Sequence, residues 1–379
     1  MTFRELSTDF PTIEKVNYLS TASIGLVPSV VIEKSTELFK DLAQGGTLAL
    51  NEEKEVMIYD SLRNEGALLL NCDSKDIAVF NSVSEAFNAI AWSLKLERGK
   101  IISTRVEFPS VTYPWLRLAS KNNLDIKLLE GKDWCISSGE LINEIDEQTK
   151  VVALSHVSYL SGQKYDLAQI TKSAHDVGAL VIFDGIQATG YTPIDVRKWG
   201  VDVYITGSYK WLCAPFGTAI AYIAKNLNEE LKPALVGWRS VEEMWDFNAV
   251  NLNFASTARK FEYSTSAYGV KIGFAESIKY LRQIGIENIS SHNTKLVELL
   301  LTELATIDEI NIISPKVRGS IVAFRLNVKR NLKHISERLR ELKRPIEFTV
   351  RQNMVRISPH IYNTEEDIMN FVNSLKQTL

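Results

Sequence analysis

Short apolar runs alternating with longer stretches of helical spacing set the limits on how this chain can fold. The runs lie at residues 77–80, 100–103, 151–157, 180–184, 203–206 and 218–223. Most are apolar at consecutive positions and rich in Val and Ile, the pattern of strands covered on both faces in a mainly parallel sheet. Between them, residues 84–96, 113–121, 139–145 and 167–177 repeat apolar residues at helical intervals. This βαβα order predicts an α/β domain, a mainly parallel sheet flanked by helices. In such sheets ligands sit beyond the carboxyl ends of the strands, so the residues just after each run are the first to inspect.

The last third changes pattern. Two long amphipathic helices are expected at 267–285 and 289–305. Strands at 310–313 and 320–326 follow, then a helix at 332–343, a strand near 355–358 and a final helix at 364–379. The length of 379 residues suits one large core and one small one. The expected division is a large domain over 15–254 and a small α+β domain over 255–379, joined by the N-terminal segment 1–14. A net charge of −3 with no Lys/Arg cluster argues against nucleic-acid partners. The N-terminus is charged throughout and the apolar stretches are too short to span a bilayer, so a cytoplasmic chain with no membrane association is expected. Cys72, Cys135 and Cys213 show neither CxxC nor Cys/His spacing, which speaks against a disulfide framework and a metal site.

Asp184 closes one apolar run, Gln187 follows in DGIQATG, and Lys210 comes just after the next run, between Tyr209 and Trp211. An isolated Asp at a strand end is more often a turn or cap residue, and an isolated Lys is usually a surface residue with a buried stem. Together they offer more: a carboxylate for a pyridinium nitrogen and an amine for an aldehyde, the two anchors of pyridoxal 5'-phosphate (PLP) chemistry. The segment NSVSEAF opens a helix after the first run. Its free amides, including that of Val83, and the Ser82 and Ser84 hydroxyls could hold a phosphate. The same spacing is also that of an ordinary capping box.

With DGIQATG and SYKWLCAPFGTAIAYI in this order and separation, the chain resembles the class V aminotransferase family of fold-type I PLP enzymes. That family includes cysteine desulfurases, kynureninase and isopenicillin N epimerase-like proteins. The resemblance runs from YLSTASIGLVP to RISPHIYNTEEDI, almost the whole chain. It implies that Lys210 carries the cofactor as a Schiff base and moves the proton at the substrate's α-carbon. It also implies that Asp184 pairs with the ring nitrogen, that Gln187 bonds the ring's phenolic oxygen, and that Phe108 stacks on the ring where many relatives have a histidine. Ser84 and the neighbouring amides would hold the phosphate, with Tyr209 reaching it as in kynureninase. Tyr159 stands where desulfurases place an asparagine near the ring oxygen. Arg356 matches the residue that grips the substrate's α-carboxylate, a role suited to its planar fork. Trp238 matches a substrate-side residue of the kynureninase and epimerase branches. Thr265 matches a residue that crosses to the neighbouring subunit's phosphate, which implies a homodimer.

One departure narrows the reading. Desulfurases carry a reactive cysteine upstream of this arginine, and no residue from Asn327 to Arg356 is Cys. The expectation is a transaminase or a C–S or C–C lyase acting on an amino acid, with desulfurase-like or epimerase activity as the alternative. A nucleotide-dependent dehydrogenase would need a GxGxxG between strand and helix, which is absent. A non-catalytic relative would often have lost the lysine.

Overall fold

The computed structural model describes residues 5–327 and 331–379. Its strands, in chain order, are β1 (Asn17–Tyr18), β2 (Ile77–Phe80), β3 (Arg98–Thr104), β4 (Asn123–Leu129), β5 (Thr149–Ser155), β6 (Leu180–Asp184), β7 (Val203–Gly207), β8 (Ala219–Ile223), β9 (Ile310–Ile312), β10 (Val322–Leu326), β11 (Ile346–Glu347), β12 (Thr349–Arg351) and β13 (Met354–Ile357). The helices are α1 (Ser29–Gly45), α2 (Glu52–Leu70), α3 (Val83–Ser93), α4 (Pro109–Ala119), α5 (Ser138–Ile142), α6 (Leu167–His175), α7 (Val196–Trp199), α8 (Lys225–Glu230), α9 (Tyr268–Ile284), α10 (Ile286–Leu304), α11 (Leu332–Arg340) and α12 (Glu365–Thr378).

Seven strands form the main sheet in the order β2-β8-β7-β6-β5-β3-β4. From β4 through β7 every pairing is parallel; β8 alone runs against its neighbours β7 and β2. β6, β7 and β8 are buried almost throughout, so their runs show no alternation. One hydrophobic core lies on each face. Val152, Leu154, Phe183 and Tyr204 point into the first, and Val151, Ala153, Ile182 and Ile205 into the second. The edge strand β4, NLDIKLL, mixes charged and apolar residues and is partly exposed. It therefore lacks the run by which the other strands were recognised.

The second sheet, β12-β13-β10-β9, is antiparallel throughout. It shares a core with α10, α11 and α12 that contains Leu300, Phe324, Ile335, Val355 and Phe371. α9 packs on α1 and α2, and Phe274 and Ile278 belong to the larger core although they follow residue 255. β1 lies parallel to β11, and Leu19 N–H donates to Glu347 O at 2.8 Å. From this two-stranded pair residues 20–25 run on to the large sheet, where Gly25 meets Tyr209. No helix of the described residues is long and apolar enough to cross a membrane.

Candidate active site

β6 and β7 are parallel neighbours whose carboxyl ends lie side by side. Asp184 is the last residue of β6, Lys210 follows β7, and both are buried. Burial disfavours either charge. It raises the Asp184 carboxyl and lowers the Lys210 ammonium, and the charge of each partly offsets the shift of the other. Asp184 Oδ1 accepts from Ile186 N–H at 2.8 Å. Among the described residues no hydrogen bond or ion pair reaches Lys210 Nζ. The amine faces aromatic rings instead, 5.8 Å from the centre of Phe108 and 5.7 Å from that of Tyr209. Phe108 meets the Tyr159 ring edge-on at 5.5 Å, and Tyr209 stacks on Phe216 at 4.5 Å.

The crossing segment closes over this point. Gly25 N–H donates to Tyr209 O at 2.8 Å, and a Cβ on Gly25 would lie 1.9 Å from Lys210 O. Only glycine permits that approach. Two residues earlier, Ser23 Oγ accepts from Arg356 at 2.5 Å, and the same guanidinium donates to Tyr159 O at 2.6 Å. Arg356 is 1% exposed, its Nε has no partner, and among the described residues no carboxylate pairs with it. Burial and the neighbouring Arg351 charge pull its guanidinium down to about 9. A buried cation with no anion is costly.

The first turn of α3 begins against the end of β7. A Cβ on Gly207 would lie 3.0 Å from Val83 Cγ2, so the glycine lets this helix start close beside the lysine loop. Ser82 is the N-cap, its Oγ accepting from Glu85 N–H at 3.0 Å. The Val83 and Ser84 amides have no preceding helical carbonyl to bond. Ser84 Oγ and Ser110 Oγ are 2.6 Å apart, which brings the first turns of α3 and α4 together. Gln187 is more occupied than expected: Nε2 donates to Ala22 O at 3.0 Å and Oε1 accepts from Trp211 Nε1 at 2.8 Å. One amide N–H is left for a ligand.

Trp238 and Thr265 are not brought to Lys210. Trp238 packs with Trp245 and Phe247, and the buried Arg239 guanidinium lies 5.1 Å from its ring centre. Thr265 is exposed at the tip of a loop held from both sides. Glu262 binds Arg63 at 2.6 Å and Val79 N–H at 3.1 Å, and Ser266 Oγ lies 3.0 Å from Tyr59 OH.

Four residues escaped the sequence reading: Ser23, Glu107, Ser110 and Arg351. Glu107 stands just before Phe108 and is buried. Ser155 donates to it through both its amide, at 3.0 Å, and its hydroxyl. Burial pushes its carboxyl up to about 7, the Ser155 bonds oppose that shift, and Asp184 adds to it. A polar residue beyond a strand end, the signal that revealed Asp184, was available in the EFPS segment too.

The cleft thus offers an amine, a buried carboxylate beside it, an aromatic wall, a helix start with hydroxyls, and a buried arginine. That donor set suits an aromatic aldehyde with a basic ring nitrogen and a phosphate arm, together with a carboxylate-bearing substrate. The sequence model of aminotransferase class V matches residues 17–371. A probable cysteine desulfurase of Methanothermobacter thermautotrophicus is 29% identical over 335 residues, covering 86% of this chain and 82% of the relative. An uncharacterized aminotransferase of Bacillus subtilis, YcbU, is 25% identical, covering 97% and 95%. Among solved structures, a cystine C–S lyase bound to its product cysteine persulfide superposes with a TM-score of 0.88 at 23% identity, covering 97% of this chain and 98% of that one. Another structure of that lyase, a variant, has glycine covalently linked to its PLP cofactor; it superposes with a TM-score of 0.89 at 22% identity, covering 97% and 98%. Likeness at these identities carries the fold: a mostly parallel sheet flanked by helices, with a separate antiparallel sheet. The match over nearly the whole length goes further, and the chain belongs to the class-V aminotransferase family as a PLP-dependent enzyme.

Proposed function

We propose that this enzyme acts on an α-amino acid held between Lys210 and Arg356. The observation that carries the reading is a buried arginine, Arg356, with no carboxylate hydrogen-bonded or ion-paired to it among the described residues, whose charge is felt at the buried Lys210 beside Asp184. In this reading Lys210 Nζ would be the amine that holds the cofactor's aldehyde carbon until the substrate's own amine takes that place and leaves the lysine free. Asp184 pairs with the ring nitrogen, and Phe108 covers the ring. The Val83 and Ser84 amides receive the phosphate with the Ser82, Ser84 and Tyr209 hydroxyls. The free N–H of Gln187 and Tyr159 lie toward the ring oxygen. When bound, PLP withdraws electrons from the substrate's α-carbon.

Arg356 receives the α-carboxylate bidentately and so fixes which bond of the α-carbon faces the ring. Lys210 Nζ takes the proton from that carbon. Burial keeps this amine neutral at a lower pH than an exposed lysine, which leaves a lone pair available for the transfer. Phe108 and Tyr159 keep water from the reacting carbon. The absence of cysteine between Asn327 and Arg356 favours direct elimination or amine transfer over a sulfur relay through an enzyme thiol. Thr265, exposed on its braced loop, serves a second copy's site in a homodimer. Three unpaired cysteines suit the reducing cytoplasm.

The test is chemical. Purified chain loaded with PLP should be yellow, and borohydride should fix the cofactor to a single peptide containing Lys210. Labelling elsewhere, or none, would remove the lysine from its role. An amino-acid panel then separates the reactions. Stoichiometric pyridoxamine phosphate indicates amine transfer, and a keto acid with ammonia or sulfide indicates elimination. Sedimentation of the holoenzyme as a monomer would remove the shared-site reading of Thr265.

A further inference from the structure

The hairpin that supplies Arg356 carries a second arginine on the same face. β12 and β13 pair as Thr349 with Arg356, Val350 with Val355 and Arg351 with Met354. Side chains alternate between the faces of a strand, so Thr349, Arg351, Met354 and Arg356 share one face. The contacts show where that face points. Thr349 Oγ1 bonds Ser20 Oγ at 2.7 Å and Ser23 Oγ at 2.8 Å, Arg356 reaches Ser23 and Tyr159, and Met354 packs with Tyr159 and Leu160. It is the wall of the candidate site.

Arg351 lies on this wall at the tip of the hairpin, exposed, with no hydrogen bond or ion pair to another described residue. Diagonal neighbours on such a pair lie roughly 7–8 Å apart, so Arg351 and Arg356 can hold two anions separated by a short carbon chain. The Arg351 charge is felt at Tyr159, Tyr209, Lys210 and Arg356. The two acids of the cleft do not offset it. Asp184 is turned to Ile186 N–H and Lys210, and Glu107 is held by Ser155. Three cations therefore line the substrate side of the cleft, one more than an amino acid with a neutral side chain can use.

We propose that Arg351 is a specificity-determining residue that selects amino acids whose side chain ends in a carboxylate, holding that distal carboxylate while Arg356 holds the α-carboxylate. The proposal rests on the assignment of Arg356 made above and adds the substrate class.

The experiment uses non-reactive acids, so that binding is read without turnover. Holoenzyme, Arg351→Gln and Arg356→Gln are titrated calorimetrically with glutarate, which has two carboxylates, and with butyrate, which has one. Wild type should bind glutarate more tightly than butyrate by on the order of tenfold or more, the worth of one charge-assisted contact. Arg351→Gln should erase that ratio and leave butyrate nearly unchanged, and Arg356→Gln should weaken both acids. A wild type with no preference overturns the proposal, as does an Arg351→Gln variant that keeps the ratio, or one that weakens both acids equally. In those cases a loss of both acids in Arg356→Gln leaves the α-carboxylate assignment standing. If Arg356→Gln binds both acids as wild type does, that assignment fails and the two-arginine site fails with it.

Discussion

Asp184 and Lys210 stand at the ends of neighbouring strands in a sheet buried on both faces, whereas Arg356 and Arg351 come from a small hairpin whose turn, Gln352 and Asn353, is exposed. The first wall of the cleft is over-determined. Ladder hydrogen bonds on both sides, two hydrophobic cores and the close contacts of Gly25 and Gly207 fix where the carboxylate and the amine can be. The second wall is held by side-chain bonds among Ser20, Ser23, Thr349, Arg356 and Tyr159 and by isolated backbone bridges such as Ser20 with Ser358, not by a continuous ladder. The contrast teaches that such an enzyme can keep its cofactor chemistry constant on the rigid wall. If Arg356 and Arg351 bind substrate as proposed, single changes on the other wall would alter the substrate.

The largest expected effect tests the rigid wall. Lys210→Ala should lower turnover by at least about a thousandfold, because attachment and proton transfer are lost together. The apo protein should melt no lower than wild type, since the lysine's amine makes no hydrogen bond and its burial is unfavourable. A variant that unfolds would show that the amine is a structural part of the wall.

Arg356→Gln comes next and asks whether the walls separate. It should lower kcat/KM on the order of a hundredfold, chiefly through KM, because a bidentate charged contact to substrate is lost. Cofactor affinity, read from the visible absorbance during PLP titration, should stay the same. An equal loss of cofactor affinity would make the two walls one unit.

The two walls also differed in how far sequence revealed them. Strands β2, β6 and β7 were read almost to the residue, because both faces are buried and the runs are continuous. Asp184 and Lys210 followed from the rule that ligands lie beyond strand ends. The edge strand β4 and the helices α1 and α2 were not read. β4 mixes charged and apolar residues at a sheet edge, and α1 and α2 bury their apolar faces against α9, far away in sequence. Arg356 was singled out only through the resemblance to the family. Nothing local distinguishes it from an exposed strand arginine, and its burial depends on Ser23, 333 residues away in sequence. Ser110 was missed for the same reason, since its partner Ser84 begins another helix. Arg351 needed the register of the hairpin before its face could be known.

Glu107 tests the floor beneath the rigid wall. Its carboxyl is raised from 4.5 to about 7, mainly by burial. The folded state therefore binds a proton that the unfolded chain releases earlier. The stabilisation is complete below the unfolded value and is lost as pH rises through the folded one. Relative to Glu107→Gln, wild type should lose about 3 kcal/mol of unfolding stability over this window. Urea unfolding of both proteins at about pH 5 and about pH 8 checks it. A parallel pH dependence in the two proteins would mean that the charge on Glu107 is already paid for by its Ser155 bonds.

The smallest effect concerns the hairpin turn. Gln352 and Asn353 have φ of 50° and 57°, the left-handed pair of a two-residue type I′ connection. Asn-Gly suits that turn best, while glutamine accepts a positive φ at a cost. Gln352→Asn combined with Asn353→Gly should therefore raise stability by about 1 kcal/mol, read as a shift in denaturant midpoint at constant slope. Arg351 flanks this turn and Arg356 lies two residues beyond Met354 on its other side, so the same variant asks whether the flexible wall gains precision when its backbone relaxes. Glutarate affinity should hold or improve, because the pairing of Arg351 with Met354 keeps both arginines on the cleft face whatever residues make the turn. A variant that gains stability but loses glutarate would mean that the glutamine side chain, and not the register alone, holds the hairpin against the site.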